Sequence, residues 1–227
     1  MNTLNSRKAL LSLNDLNFGY GKESLFVNAD IEIGEGETVR LTGANGTGKT
    51  TLLKILSGVI DRGVQYRVQW RGQSVKSVDE IRQRISFAVD TPQLFEELSC
   101  KENIEVMQLL WELDTSYFDA VVDLCANMGM DETLFERPVK SCSLGTQHKL
   151  FLAMVLARPA DLYLLDEPFN TLDQSSRGFI ARRITNDPNH SYLIVSHLAQ
   201  PGLEFNRTLN ILDIAGPRQI SHVRSYE

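Results

Sequence analysis

The sequence predicts an α/β protein built on a parallel sheet. Three observations carry that expectation. Short apolar strands alternate with helical stretches along most of the chain. One strand runs directly into a glycine-rich turn that opens a helix, and a block of several dozen residues in the middle turns to helical periodicity.

In chain order, residues 9–17 alternate loosely and residues 27–33 (VNADIEI) alternate well, so both read as strands, with a turn at 34–37 (GEGE). Residues 38–42 (TVRLT) form the strand that enters the glycine-rich stretch. Residues 50–57 follow as a helix ended by Gly58, and 64–70 as a strand closed by Arg71 and Gly72. A strand is expected at 85–89. From 98 to 128 apolar residues fall at helical spacing: Ile104, Met107, Leu110 and Trp111, then Phe118, Val121, Val122 and Cys125. A helix at 144–156, stopped by Pro159, leads to a strand at 161–165. A helix at 175–184 and a strand at 192–195 complete the pattern. The tail from Leu203 has room for a short strand or two.

Composition excludes several classes. A length of 227 residues is enough for a core without staples. A hydrophobic fraction of 42% and a charged fraction of 23% exclude disordered and collagen-like chains. The formal net charge of −6 argues against a general nucleic-acid coat, though a local basic pocket for one nucleotide is compatible with it. The longest apolar run, 150–157 (LFLAMVLA), is too short to cross a bilayer. The N-terminal MNTLNSRKALLSLND has no sustained apolar core, so no secretory signal is expected. Three cysteines, an odd count without CxxC spacing, predict neither a disulfide framework nor a zinc site and fit a reducing, cytosolic compartment.

The strongest chemical signal is GANGTGKTT: Gly43, Ala44, Asn45, Gly46, Thr47, Gly48, Lys49, Thr50 and Thr51. It matches G-x-x-x-x-G-K-[ST] between a predicted strand and a predicted helix. Glycines let successive N–H groups converge on phosphate oxygens, and the helix N-terminus adds partial positive charge. Lys49 is expected at the β- and γ-phosphates and the Thr50 hydroxyl on Mg²⁺. The competing reading is a glycine-rich turn with a chance lysine, which the strand–turn–helix context disfavours. A nucleoside triphosphate is therefore the expected ligand.

A phosphate loop needs a metal-holding carboxylate. Asp166 ends the apolar strand 162–165, at the edge where parallel sheets bind ligands, and Glu167 follows where it can polarise a water. Alone, an Asp-Glu-Pro turn would explain both. His197 follows the apolar strand 192–195 and can donate to the γ-phosphate or orient the water; a satisfied structural histidine is the alternative. His148, His190 and His222 stand among polar residues.

This set, in this order and across roughly residues 10–212, resembles the nucleotide-binding subunit of ATP-binding cassette (ABC) transporters. Its most specific element is KSCSLGTQHK, residues 140–149, which looks like the family's Leu-Ser-Gly-Gly-Gln signature: Ser143 and Gly145 match, Cys142 takes the Leu place, and Leu144 and Thr146 depart. The resemblance implies a P-loop NTPase core with a parallel sheet, an N-terminal antiparallel β subdomain and an inserted helical subdomain. As domains it implies a single ATP-binding domain over 1–227, with core at about 1–94 and 150–227 and the helical part at about 95–149. It implies that Ser143 and Gly145 receive the γ-phosphate of ATP held by a second subunit, that Tyr20 stacks on adenine (a core or turn tyrosine being the alternative), that His197 is the switch histidine, and that 170–173 (NTLD) crosses the dimer contact.

One position departs. The family has Gln after the strand 85–89, where it helps coordinate the metal and the attacking water; here the residue is Asp90, with Gln93 nearest among glutamines. Asp90 is expected to face the metal, a simple strand cap being the alternative. The resemblance implies an ATP hydrolase with ATP and Mg²⁺, paired with a second copy or a homologue and with a separate membrane-spanning permease, at the inner face of the cell membrane. No nucleic-acid partner is expected. The short tail and the Ser-Leu-Gly form lean towards an exporter. The rival readings are a soluble ABC ATPase acting on ribosome or DNA, and a catalytically weak half of a heterodimer.

Overall fold

In a computed structural model that describes residues 7–21, 23–197 and 200–215, the organising element is a five-stranded parallel sheet. It takes β3 (Thr38–Thr42), β6 (Ile85–Ala88), β7 (Leu162–Asp166), β8 (Ser191–Val195) and β9 (Arg207–Asn210), in the order β6-β7-β8-β3-β9. Every residue of β7 and β8 is buried, which a parallel strand covered on both faces requires. Alternation divides their side chains between two cores. Leu162, Leu164, Leu193 and Val195 join α1 (Lys49–Leu56) and the second sheet. Tyr163, Leu165, Tyr192 and Ile194 join the helices on the opposite face.

The second sheet is antiparallel, in the order β2-β1-β4-β5: β1 is Ala9–Tyr20, β2 Glu23–Gly34, β4 Gln65–Trp70 and β5 Gln73–Val75. The loose alternation of β1 has a cause. Its pairing with β2 shifts register between Leu13 and Leu16 and again near Phe18, and Asp15 lies at φ 53. Arg71 and Gly72, both with positive φ, make a two-residue turn into β5, so the predicted strand end is a hairpin whose short second arm was not read. A 3₁₀ stretch, Val78–Arg84, leads to β6.

The middle is helical but not continuous. α2 (Cys100–Leu110) starts at a capping box, with Ser99 and Glu102 each accepting from the other's backbone N–H. α3 (Thr115–Asn127) is capped by Asp114. Glu112, at φ 55, breaks the run that periodicity alone joined. α4 (Leu144–Ala157) contains the apolar run read as too short to cross a bilayer. All its residues from Leu150 to Leu156 are buried, because the helix lies between α3 and the parallel sheet. No described helix is long and apolar enough to cross a membrane. α5 (Gln174–Thr185) packs on the same face, and after β9 the described residues form a short helix, α6 (Ile211–Ile214), where strand was expected.

His148 corrects its reading: it is buried on α4, since a polar neighbourhood in sequence says nothing about the inner face of a buried helix. Burial pulls its imidazole below the usual range, opposed by the charge of Asp90. His190 does sit among polar partners, its Nδ1 2.7 Å from Asp187. His222 and the first six residues lie outside the described residues.

Before α2 the chain is irregular and turns at residues 96–97, where Leu98 N–H donates to Phe95 O at 3.1 Å, and it is shaped by the fully buried Asn103. Its amide oxygen accepts from Phe95 N–H (2.8 Å), and its nitrogen donates to the carbonyls of Phe95 (3.0 Å) and Ser99 (2.9 Å). Alanine there leaves these groups without their partner, at about 1–3 kcal/mol for each one left buried and unsatisfied. Asn103→Ala should lower the urea midpoint of unfolding by an equivalent of several kcal/mol; a midpoint unchanged from wild type contradicts the role of Asn103.

Candidate nucleotide-binding site

The loop between β3 and α1 is shaped by steric limits. Gly43 leaves β3 at φ 147, and a Cβ there would lie 2.5 Å from Ile211 Cγ2. Gly48, at φ 105, is the N-cap of α1, where a Cβ would press on the Leu25 side chain at 3.0 Å. Glycine at the cap has a chemical consequence. No side chain caps α1 and no acid occupies its first turn, so its first N–H groups are open to an anionic ligand.

Lys49 is 7% exposed, and its ammonium is held by the loop itself: Nζ donates to Gly43 O (2.8 Å) and Ala44 O (3.0 Å). Thr47 Oγ1 donates to Ala44 O at 2.7 Å, closing the turn. One residue beyond Lys49, the Thr50 hydroxyl donates to Asp166 Oδ2 at 2.6 Å across 116 residues of sequence. That bond joins the start of α1 to the end of β7.

Asp166 is 2% exposed. Burial raises its carboxyl, the Thr50 hydrogen bond works against the rise, and the charge of Asp90 adds to it. Glu167 follows with its backbone at φ 49, its N–H donating to Val195 O at 3.0 Å. Its carboxyl is also raised, by burial first, with His197 pulling it back. Glu167 Oε1 lies 3.1 Å from His197 Nε2, yet without hydrogen-bond alignment, so this buried oxygen has no hydrogen-bond partner in the structure. An orphaned carboxylate oxygen facing a cleft is where a water would be held.

These groups converge on one cleft of about 500 Å³, lined by Tyr20, Asn45, Gly46, Gly48, Lys49, Thr50, Thr51, Asp90, Asp166, Glu167 and His197, with Glu23, Leu25 and Val195 in addition. The last three were not read from sequence, because only the placement of β2 and β8 brings them there. Tyr20 is exposed, with its hydroxyl 3.4 Å from Thr51 Oγ1 and its ring edge-on to Phe18. Asp90 is exposed on the cleft wall.

Among the described residues, no group of three or more His, Cys, Asp or Glu side chains could hold a metal. A magnesium ion needs only one or two carboxylates beside ligand phosphates. Thr50, Asp166 and Asp90 present hard oxygen donors of that kind, and the Asp166 carboxylate, whose ionisation the charge of Asp90 disfavours, is suited to a cation.

Ser143 and Gly145 are absent from the cleft lining. Ser143 caps α4, its Oγ accepting from Thr146 N–H at 3.2 Å and lying 2.9 Å from Thr146 Oγ1. A Cβ on Gly145 would meet Thr171 O at 3.4 Å. Asp173 is anchored within the chain: it caps α5 and pairs with Lys149 Nζ at 2.6 Å, which holds its carboxyl well below the usual range. Sequence reading missed this brace between α4 and α5, since nothing in the spacing pairs Lys149 with Asp173.

Residues 26–170 match the family described as ABC transporter. The chain is 30% identical to the lantibiotic transport ATP-binding protein SrtF of Streptococcus pyogenes, over 72% of this chain and 69% of that one. It is 29% identical to the cytochrome c biogenesis ATP-binding export protein CcmA of Vibrio vulnificus, over 82% and 90%. With the glycine betaine uptake system ATP-binding protein YehX of Escherichia coli it shares 26%, over 86% and 65%. In structure it resembles a putative ABC transporter ATP-binding protein from Pyrococcus furiosus, with a TM-score of 0.73 at 20% identity over 90% and 98%. A dimeric ATP-binding cassette bound to ADP and Pi superposes with a TM-score of 0.69 at 20% identity over 83% and 88%.

The geometry at Gly43 yields a test that needs no ligand. Gly43→Ala places a methyl against Ile211 in a backbone conformation that L side chains rarely adopt, a strain of about 1–3 kcal/mol. The variant should unfold at lower urea by an amount in that range, and wild-type stability would contradict the close approach of the loop to α6.

Proposed function

The chain belongs to the ABC transporter family as an ATP-binding and ATP-hydrolysing subunit, and on that premise we propose how its own residues perform the reaction. The observation that carries the proposal is the convergence, in one cleft, of an uncapped helix N-terminus, buried Lys49 and the Thr50–Asp166 hydrogen bond.

ATP lays its phosphates along residues 43–51, with backbone N–H groups of the loop and the first turn of α1 as donors. Lys49 exchanges the carbonyls of Gly43 and Ala44 for β- and γ-phosphate oxygens, a stronger, charge-assisted pairing. Tyr20, exposed at the cleft mouth, stacks on adenine. Thr50 and Asp166, with Asp90 just beyond the end of the neighbouring strand β6, would hold Mg²⁺, which when bound would neutralise phosphate charge. Glu167 accepts a proton from the water that attacks the γ-phosphorus as the bond to the β–γ bridging oxygen breaks. Burial raises its carboxyl above the usual carboxylate range, which makes it a stronger proton acceptor. His197 orients that water or donates to the γ-phosphate.

Ser143 and Gly145 lie outside the cleft, which supports a head-to-tail pair in which they meet the γ-phosphate held by the other subunit, a second copy or a homologue. Residues 1–94 and 150–227 then serve as core and 95–149 as the helical part of one ATP-binding domain over 1–227, and the helical part docks on a membrane-spanning permease. The chain works from the cytoplasmic side as a peripheral subunit. Export is the proposed direction, supported by the export protein among its relatives, although an uptake protein also matches.

Two variants test the assignment together. Lys49→Ala should greatly weaken ATP binding. Glu167→Gln should bind ATP normally, accumulate as a dimer and turn over about 10²–10⁴ times more slowly. Wild-type affinity in the first or wild-type turnover in the second would move the site elsewhere.

Asp90 gives a separate prediction. Asp90→Gln removes a negative charge that raises the Asp166 carboxyl, and exchanges an anionic oxygen for a neutral one on a longer side chain. Nucleotide binding should persist while the ATPase rate and its Mg²⁺ dependence change measurably. The change should be larger with the permease present. Identical rates across a Mg²⁺ titration, with and without permease, would remove Asp90 from the metal.

A further inference from the structure

Two thiols far apart in sequence meet in the fold. Cys100 opens α2, and Cys142 stands immediately before Ser143, the N-cap of α4; their sulfurs are 3.8 Å apart across 42 residues of chain. Both are free thiols. The segments carrying them are fastened to each other by backbone bonds: Cys100 N–H donates to Arg137 O (3.1 Å), Lys101 N–H to Phe135 O (2.9 Å) and Val139 N–H to Leu98 O (2.9 Å). A disulfide has its sulfurs about 2.05 Å apart, so bond formation asks for side-chain rotation and a small approach rather than a rearrangement of the chain.

The environments of the two sulfurs differ in a way that orders the chemistry. Cys142 is partly exposed, whereas Cys100 is 1% exposed. Burial, and then the charge of Cys142, push the Cys100 thiol up to about 12, which keeps it protonated and unreactive by itself near neutrality. Cys125, buried on α3, is likewise pushed up to about 12.

We propose that Cys100 and Cys142 form a redox-sensitive dithiol, oxidised by a hydroperoxide to a disulfide that restrains the start of α4 and slows ATP turnover. The Cys142 thiolate attacks the peroxide, forming an S–O bond as the O–O bond breaks, and the sulfenic acid results with release of water. Cys100 Sγ then attacks the Cys142 sulfur. The S–O bond breaks, and the proton of Cys100 leaves with the hydroxyl as a second water. Two thiols and one hydrogen peroxide thus give one disulfide and two waters, and a small dithiol reverses the step by exchange. The link to turnover is local. The Cys142 carbonyl accepts from Gln147 Nε2 at 3.1 Å and Ser143 caps the same helix turn, so pulling Cys142 towards α2 displaces Ser143. The turnover effect rests on the reading of Ser143 and Gly145 as groups that face a nucleotide; the disulfide does not.

The experiment treats the purified full-length chain with hydrogen peroxide and then with dithiothreitol. Oxidised wild type should show an intact mass lower by two hydrogens, a cross-linked peptide pair containing Cys100 and Cys142, and a several-fold fall in ATPase rate that dithiothreitol restores. Cys125→Ser should behave as wild type. Cys100→Ser should keep the reduced-state rate and form no cross-link. Absence of the Cys100–Cys142 peptide pair in oxidised wild type overturns the proposal without recourse to any variant. A cross-link that leaves the ATPase rate unchanged also overturns it as a device acting on turnover. Full turnover in a Ser143→Ala variant would instead count against the nucleotide-facing role of Ser143, independently of the cross-link.

Discussion

A single hydrogen bond, from the Thr50 hydroxyl to the Asp166 carboxylate, ties the glycine-rich loop and the start of α1 to the end of β7. It forms only because β7 lies beside the start of α1 in the parallel sheet, with α1 packed on one face and the apolar helices on the other. Two-sided burial fixes the sheet, the sheet fixes the end of β7, and the end of β7 sets Asp166 and Glu167 against the phosphate loop. The strain at Glu167, whose φ is 49, is sustained by that frame, for its N–H is bonded to Val195 at the end of the neighbouring strand.

Electrostatics then gives the cleft its character. One buried ammonium, Lys49, shares the cleft with the carboxylates of Asp90, Asp166, Glu167 and Glu23. Both Asp166 and Glu167 are driven towards their neutral forms by burial. Such a site is short of positive charge, and an ATP molecule alone would deepen the shortage. A divalent cation arriving with the nucleotide would resolve it, which is the physical reason behind the proposal that metal and nucleotide bind as one ligand. Lys49, held by two loop carbonyls, is already placed and dehydrated, so little reorganisation stands between it and a phosphate.

The helical layer has a different economy. α4 is buried along its second half and is braced to α5 through Lys149 and Asp173, while its first turn, with Ser143 and Leu144, is exposed. One helix therefore runs from an exposed Ser143 cap into the core beside β6, and a displacement at its start is carried inward by a rigid element. Cys142 lies at that start, against Cys100. The proposed head-to-tail arrangement and the proposed thiol chemistry act on the same turn.

The sequence by itself determined the strands and helices whose signal is local. β3 is read at its full extent from TVRLT, α1 and α4 to within one residue, and the phosphate loop, Asp166, Glu167 and His197 from their positions at strand ends. These were legible because periodicity, glycine and caps are properties of neighbouring residues. Tertiary structure decided what depends on residues far apart: the shift of register in β1, the break at Glu112, the burial of His148, the entry of Leu25 into the cleft wall, the brace between Lys149 and Asp173, and the meeting of Cys100 with Cys142. It also decided the side on which Asp90 lies, for only the order of strands β6 and β7 in the sheet brings it to the same cleft as Asp166. A local pattern states which face of an element is apolar; which partner covers that face is fixed only when the chain closes its core.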